Sequence, residues 1–198
     1  KNCKFDGVQK QPVKITGKTR NVKFDNLYIN GSLVLNAGEQ PYKNYSEWLT
    51  HSEMKRVPHS YLLDFSKKPK WSYVMGIEME GMLDTYEAYK EGNESILEYL
   101  KEYPKTMIDE KGNITGYKYE DFNLDNVRTA KFILRMHNIA PTKGTEKALK
   151  TLFKQLVNQP RTKEGVYWHK AIYANQVWLD GIFMGLPFYC NYAVQTMK

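Results

Sequence analysis

From Tyr45 onward the chain is a succession of apolar patterns at helical spacing, broken at short intervals, and this restricts it to an all-α array. The first pattern covers Glu47 to Arg56, with Ser46 as its cap. A second runs from about Ser72 to Lys90, sets Val74, Met75, Met79, Met82, Leu83 and Tyr86 on one face, and ends at Gly92. The third begins after Asn93 and carries Ile96, Leu97, Leu100, Met107 and Ile108. Pro104 is expected to kink or break it, because its ring removes a backbone donor and meets the carbonyl four residues back. Asp109 to Asn113 reads as a turn. The fourth pattern extends from about Asn123 to Asn138, the fifth aligns Leu149, Leu152, Phe153, Leu156 and Val157 between Thr145 and Asn158, and the sixth starts near Trp178. Six helices in antiparallel succession make three hairpins, repeating roughly every 50 residues, which suits a helical array or toroid. Nothing in the pattern calls for a parallel sheet.

Residues 1–44 have another character. Val22–Ile29 and Ser32–Leu35 are β-like runs separated by Asn30-Gly31, the dipeptide of a two-residue hairpin turn. The expected organisation is an extended arm or β-hairpin over 1–44, followed by a helical domain over 45–198.

The length of 198 residues and 41% hydrophobic content fit one domain or one large piece of a domain. There is no run of eighteen apolar residues, so no membrane span is expected, and the opening KNCKFDGVQK lacks the apolar heart of a signal peptide. A start at Lys1 instead of Met suits a chain whose leader has been removed or that begins partway along a longer one. The net charge of +7 suits an anionic partner, but Lys and Arg are spread along the chain, so a solvated basic surface is expected and no nucleic-acid footprint. Cys3 and Cys190 form no disulfide framework, and Cys190 reads as core. His51, His59, His137 and His169 show no paired ligand spacing and no glycine-rich phosphate loop is present, so no metal and no cofactor are expected.

Chemistry concentrates in Pro160–Tyr192. There Trp168, Tyr173, Trp178, Phe183, Phe188 and Tyr189 offer flat apolar faces for pyranose rings, while His169, Gln176 and Asp180 offer polar groups that orient and react. On residue types alone, a helix rich in core aromatics fits equally well.

Six blocks in order, PKWSYVMG, TYEAYKEGN, IDEKGNITGY, FNLDNV, QPRTKEGVYWHK and QVWLDGIFMGLPF, resemble the unsaturated rhamnogalacturonyl hydrolases of glycoside hydrolase families 88 and 105. The resemblance covers about residues 45–195 and implies an (α/α)6 barrel. It also implies hydrolysis of unsaturated uronyl residues left by pectin-type lyases in rhamnogalacturonan breakdown. In that chemistry an aspartic acid protonates C4 of a C4=C5 double bond, water adds at C5, and the hemiketal opens to release the neighbouring sugar, unlike displacement at the anomeric carbon.

By the same resemblance Asp180 is the acid, with Trp178, Leu179, Ile182 and Phe183 as an apolar wall expected to raise its pKa. Asp125 is the second active-site carboxylate and His169 the active-site histidine. Trp71 and Tyr73 form the aromatic mouth, and Trp168, Gln176 and Trp178 complete the sugar-binding set. Either aspartate read alone also suits a helix cap. Twelve helices need more than about 300 residues, so the chain is expected to be the amino-terminal half of a barrel. Such a half should dimerise or bind its missing carboxy-terminal half, where basic partners of the substrate carboxylate would lie. The partner is then an anionic oligosaccharide, and the setting a bacterial periplasm or cell surface, otherwise the cytoplasm. A helical sugar-binding or assembly module without turnover, and a scaffold holding acidic partners by charge, are the competing readings.

Overall fold

The computed structural model describes residues 3–5, 27–29, 32–35, 42 and 44–196. They fall into two units, Lys1–Trp48 and Leu49–Lys198. In the first, β1 (Cys3–Phe5), β2 (Leu27–Ile29) and β3 (Ser32–Leu35) form one sheet in that order. β2 and β3 are antiparallel, with Ile29 opposite Ser32 and Leu27 opposite Leu35, the arrangement that a two-residue connection imposes. The turn residues Asn30 and Gly31, and Val22–Asn26, lie outside the described residues. β1 adds a parallel neighbour to β2 that the sequence pattern did not suggest.

Six helices follow: α1 (Tyr45–Arg56), α2 (Tyr73–Ala88), α3 (Glu94–Met107), α4 (Asp125–Ile139), α5 (Lys143–Asn158) and α6 (Leu179–Thr196). Their starts are set by side chains that satisfy otherwise orphaned N–H groups. Ser72 accepts from the Val74 N–H, and Thr142 exchanges bonds with Thr145 in a capping box. At α1 the capping oxygen belongs to Asn44, which accepts from the Glu47 N–H at 2.9 Å, and Ser46 lies inside the helix.

Three expectations need correction. α3 runs through Pro104 to Met107, because Tyr103 and Met107 on either side are fully buried and hold the last turn against the loss of one backbone bond. Val157 points away from the core of α5, with half its surface exposed. Cys190 is exposed on α6 and is not a core residue.

Within the helical unit α4 lies between α2 and α6, with α3 packed on α2 and α5 on α4 and α6. The first turns of α2 and α4 are tied: the Trp71 indole N–H donates to the Asn126 carbonyl at 2.7 Å, and the Thr129 hydroxyl donates to the Ser72 carbonyl at 2.8 Å. Gly76 permits this approach, since a Cβ there would stand 2.7 Å from the Thr129 Cα. α6 begins beside Leu124, so α2, α4 and α6 run parallel with their first turns at the same end. Met75, Met79 and Leu83, with Phe132, Ile133, Leu152 and Phe188, fill the space between layers. Deeper between α2 and α4, buried Glu80 pairs with buried Arg128 and with Lys131 at 3.2 Å, while Arg135 holds Asp84 and Glu87 at 2.7 Å each. Along α6, Leu179, Ile182, Phe183 and Leu186 form an exposed apolar stripe. Among the described residues no helix is long and apolar enough to cross a membrane.

Candidate active site

Two loops are pinned together beside the first turns of α4 and α6, and buried glutamines at the end of α5 do the pinning. The Gln159 carboxamide N–H donates to the carbonyls of Phe122 and Trp168 at 2.6 and 2.9 Å, and that of Gln155 donates to the Asn123 carbonyl at 3.2 Å. The Tyr117 hydroxyl donates to Gln155 Oε1 at 2.6 Å, and burial pushes that phenol well above its ordinary pKa. Leu124 N–H then bonds the His169 carbonyl at 3.1 Å, while His169 N–H bonds the Gln176 carbonyl at 2.9 Å. His169 is thereby fixed beside the first turn of α4 through its own backbone.

Asp125, His169 and Asp180 meet there, each offering an atom within 4.8 Å of the others. His169 is buried, and its Nε2 lies 3.5 Å from Asp125 Oδ1. Lys170 places its Nζ 2.8 Å from the other oxygen of Asp125. Asp180 has no ion-pair partner among the described residues. One carboxyl group is therefore paired with an ammonium, while the other is exposed and has none. The cap reading of Asp125 does not hold: Asn123 Oδ1 accepts the Asp125 N–H at 3.0 Å, and the Asp125 carboxylate faces His169 and Lys170.

The imidazole of His169 stacks on Trp178 with centroids 4.3 Å apart and planes 8° from parallel, and Tyr173 stacks on Trp178 at 5.3 Å. Gln176 accepts from the Trp178 indole N–H at 3.1 Å, so its carboxamide orients this ring. α6 reaches the cluster only because position 181 is glycine: a Cβ there would lie 2.8 Å from His169 Nδ1 and 3.2 Å from Leu124 Cδ1.

Other expected residues are placed differently. Trp71 is buried, bonded to Asn126 and stacked on Tyr103 at 6.1 Å, so it joins helices and offers no open face. Tyr73 is exposed at the first residue of α2, and Trp168 is half-buried. No hydrogen bond, ion pair or ring contact joins either to the three central residues among the described residues. The apolar wall expected around Asp180 is itself open, with Leu179 84% exposed and Asp180 exposed, so burial does not insulate this carboxyl group. Lys170 was overlooked in the sequence, where it looked like one more member of a scattered basic set. The spacing of the histidines gave no sign of a metal site, yet the fold gathers three possible ligand atoms. The Lys170 ammonium already occupies the Asp125 side of that cluster and competes with any cation.

The family model described as Glycosyl Hydrolase Family 88 matches residues 45–198. The chain belongs to this family. A solved structure of a family 105 glycoside hydrolase from C. acetobutylicum ATCC 824 is similar to it, with a TM-score of 0.68 and 33% sequence identity, covering 79% of this chain. The family 88 chain spans 41% of the length of that hydrolase. Its three helical hairpins, α1–α2, α3–α4 and α5–α6, form part of an (α/α)6 toroid.

Proposed function

We propose that the protein hydrolyses 4,5-unsaturated galacturonyl oligosaccharides of the pectin and rhamnogalacturonan type, with Asp180 as acid and Asp125 as the carboxylate that orients water. The observation that carries this reading is the convergence of Asp125, His169 and Asp180 within 4.8 Å beside the first turns of α4 and α6. Asp180 delivers its proton to C4, and the electron pair of the C4=C5 bond forms the new C–H bond. Positive charge then rests on C5 and the ring oxygen. Water adds at C5 and gives a proton back to a carboxylate, and the resulting hemiketal opens to release the neighbouring sugar, so the net change is one water added. The Lys170 ammonium holds Asp125 in place during the addition, and the Trp178 face, set by Gln176 and His169, brackets the ring.

The exposed stripe of α6 and the open position of Asp180 support a second element of the proposal: further helices of the toroid, or a second copy of the chain, close the site. The test follows the loss of ultraviolet absorbance from an unsaturated galacturonyl-rhamnose disaccharide. It uses this chain, a version extended to the span of the family 105 relative, and Asp180→Asn in each. Decay that Asp180→Asn abolishes supports the reading. Decay that survives the substitution refutes Asp180 as the acid, and binding without decay in either length replaces the hydrolase by a sugar-binding module.

A further inference from the structure

A groove of about 950 Å³ runs between the second half of α3, the turn after it and the first turn of α5. Five of its lining residues are lysines: Lys101 and Lys105 on α3, Lys111 on the turn, Lys143 and Lys147 on α5. The three carboxylates nearby do not balance them. Glu98, Asp109 and Glu110 leave the groove a net positive charge of two: Glu98 pairs with Lys101 at 2.6 Å, the Glu110 carboxylate makes no ion pair among the described residues, and Asp109 accepts from the Asn113 side chain at 2.7 Å and from the backbone N–H groups of Lys111 and Asn113. Those bonds, Asn113 first, hold Asp109 below the ordinary carboxylate range. Lys147 turns to the Glu110 carbonyl at 3.4 Å. Lys105, Lys111 and Lys143 are exposed, and among the described residues their ammonium groups make no ion pair or hydrogen bond. Between them the floor is apolar, built from Pro104, Ile108 and Met136.

This groove is separate from the carboxylate cluster. It takes in the first turn of α5, whereas the loops that carry the cluster are pinned by Gln159 just past the last turn. A helix of 16 residues puts about 24 Å between those ends, more than one sugar ring can bridge. We infer that the groove is a second binding site for an anionic polysaccharide chain, a polyuronate, lying along Lys105, Lys111 and Lys143 with its C–H faces on Pro104, Ile108 and Met136. A polyuronate repeats one carboxylate per ring on an otherwise apolar face, which matches separated ammonium groups above an aliphatic floor. Nucleic acid matches less well, because no aromatic side chain lines the groove to stack on a base. The choice of polyuronate rests on the uronyl chemistry proposed above; the excess of unpaired lysines does not.

The experiment measures calorimetric binding of polygalacturonate to the Asp180→Asn protein and to the same protein carrying Lys105→Ala, Lys111→Ala and Lys143→Ala, at low and high salt. Removing three exposed cations should weaken binding about tenfold at low salt, restoring them as arginine should recover it, and neutral dextran should not bind. Unfolding curves of the lysine variants should overlay the parent, since the replaced side chains are exposed. With Asp180 intact, turnover of an unsaturated disaccharide should be unchanged by the lysine substitutions. Equal polygalacturonate binding by parent and triple variant overturns the site. Binding of duplex DNA or polyglutamate as tight as polygalacturonate overturns the choice of ligand. If disaccharide turnover is absent while the triple variant still loses polygalacturonate, the catalytic reading fails and the groove stands.

Discussion

Replacing Gly181 by alanine tests whether the close approach of α6 to His169 holds the site together. The added Cβ would lie 2.8 Å from Nδ1 of a ring that is 1% exposed, and ordinary contact begins near 3.4 Å, so something must yield by the difference of 0.6 Å. The ring cannot slide freely, because Trp178 covers one face and the backbone of His169 is bonded on both sides. Overpacking of this kind costs about 1–3 kcal/mol, against the roughly 1 kcal/mol by which alanine is the better helix former. Gly81, in the middle of α2, supplies the control: a Cβ there meets nothing within 4 Å, so Gly81→Ala should gain about 0.5–1 kcal/mol. Subtracting one variant from the other cancels most of the intrinsic preference and leaves the steric part. In a thermal scan Gly81→Ala should melt a few degrees above the parent and Gly181→Ala level with it or below, at about 2–4 °C per kcal/mol. Urea titrations supply the free energies. Two variants that rise together would refute the reasoning and show that α6 has room to withdraw.

Further outcomes are expected elsewhere. Glu80→Ala leaves the buried Arg128 without its carboxylate and should cost about 3–5 kcal/mol in urea unfolding; a loss below about 1 kcal/mol would mean the pair is no better than a surface one. Trp71→Phe removes the indole donor to Asn126 and should cost about 1–3 kcal/mol, with an unchanged unfolding midpoint as the refuting result. Asp109 titrates below its unfolded value, so its contribution to stability is present above about pH 3.9 and is lost as pH falls through the lower folded value. Asn113→Ala should move the carboxyl resonance of Asp109 to titrate at higher pH in an NMR series, and an unmoved midpoint would assign the shift to another group.

The helices were legible because periodicity and burial coincide: Met75, Met79, Leu83, Leu100, Leu149 and Leu152 fall where the pattern placed them. Their ends were less so, since Asn44 and Ser46, or Thr142 and Thr145, offer equivalent oxygens in sequence and only the backbone decides which one caps. A break at Pro104 does not occur: its local penalty is visible in sequence, and the burial of Tyr103 and Met107 that outweighs it is not. Within the site, Asp125 and His169 stand 44 residues apart in sequence, and periodicity does not connect them. The family resemblance named them, while Gln155 and Gln159, which pin the two loops, gave no local signal because polar residues late in a helix are ordinarily solvated. Lys170 differs from its fellow lysines only through its 2.8 Å contact with Asp125 in the folded chain.

The charged rungs between α2 and α4 act as a vernier. Acids stand on α2 at positions 80, 84 and 87, and bases on α4 at 128, 131 and 135. If α2 slipped along α4 by one helical turn toward its own C-terminus, about 5.4 Å, Arg128 would lie across from Gly76 and Ile77 and a buried guanidinium would lose its counter-charge. Apolar contacts between two helices tolerate such a slip better than ions do, because one aliphatic group can replace another. The height at which α2 begins relative to Asp125 is thus set by ion pairs that stand roughly one to three turns further along α4.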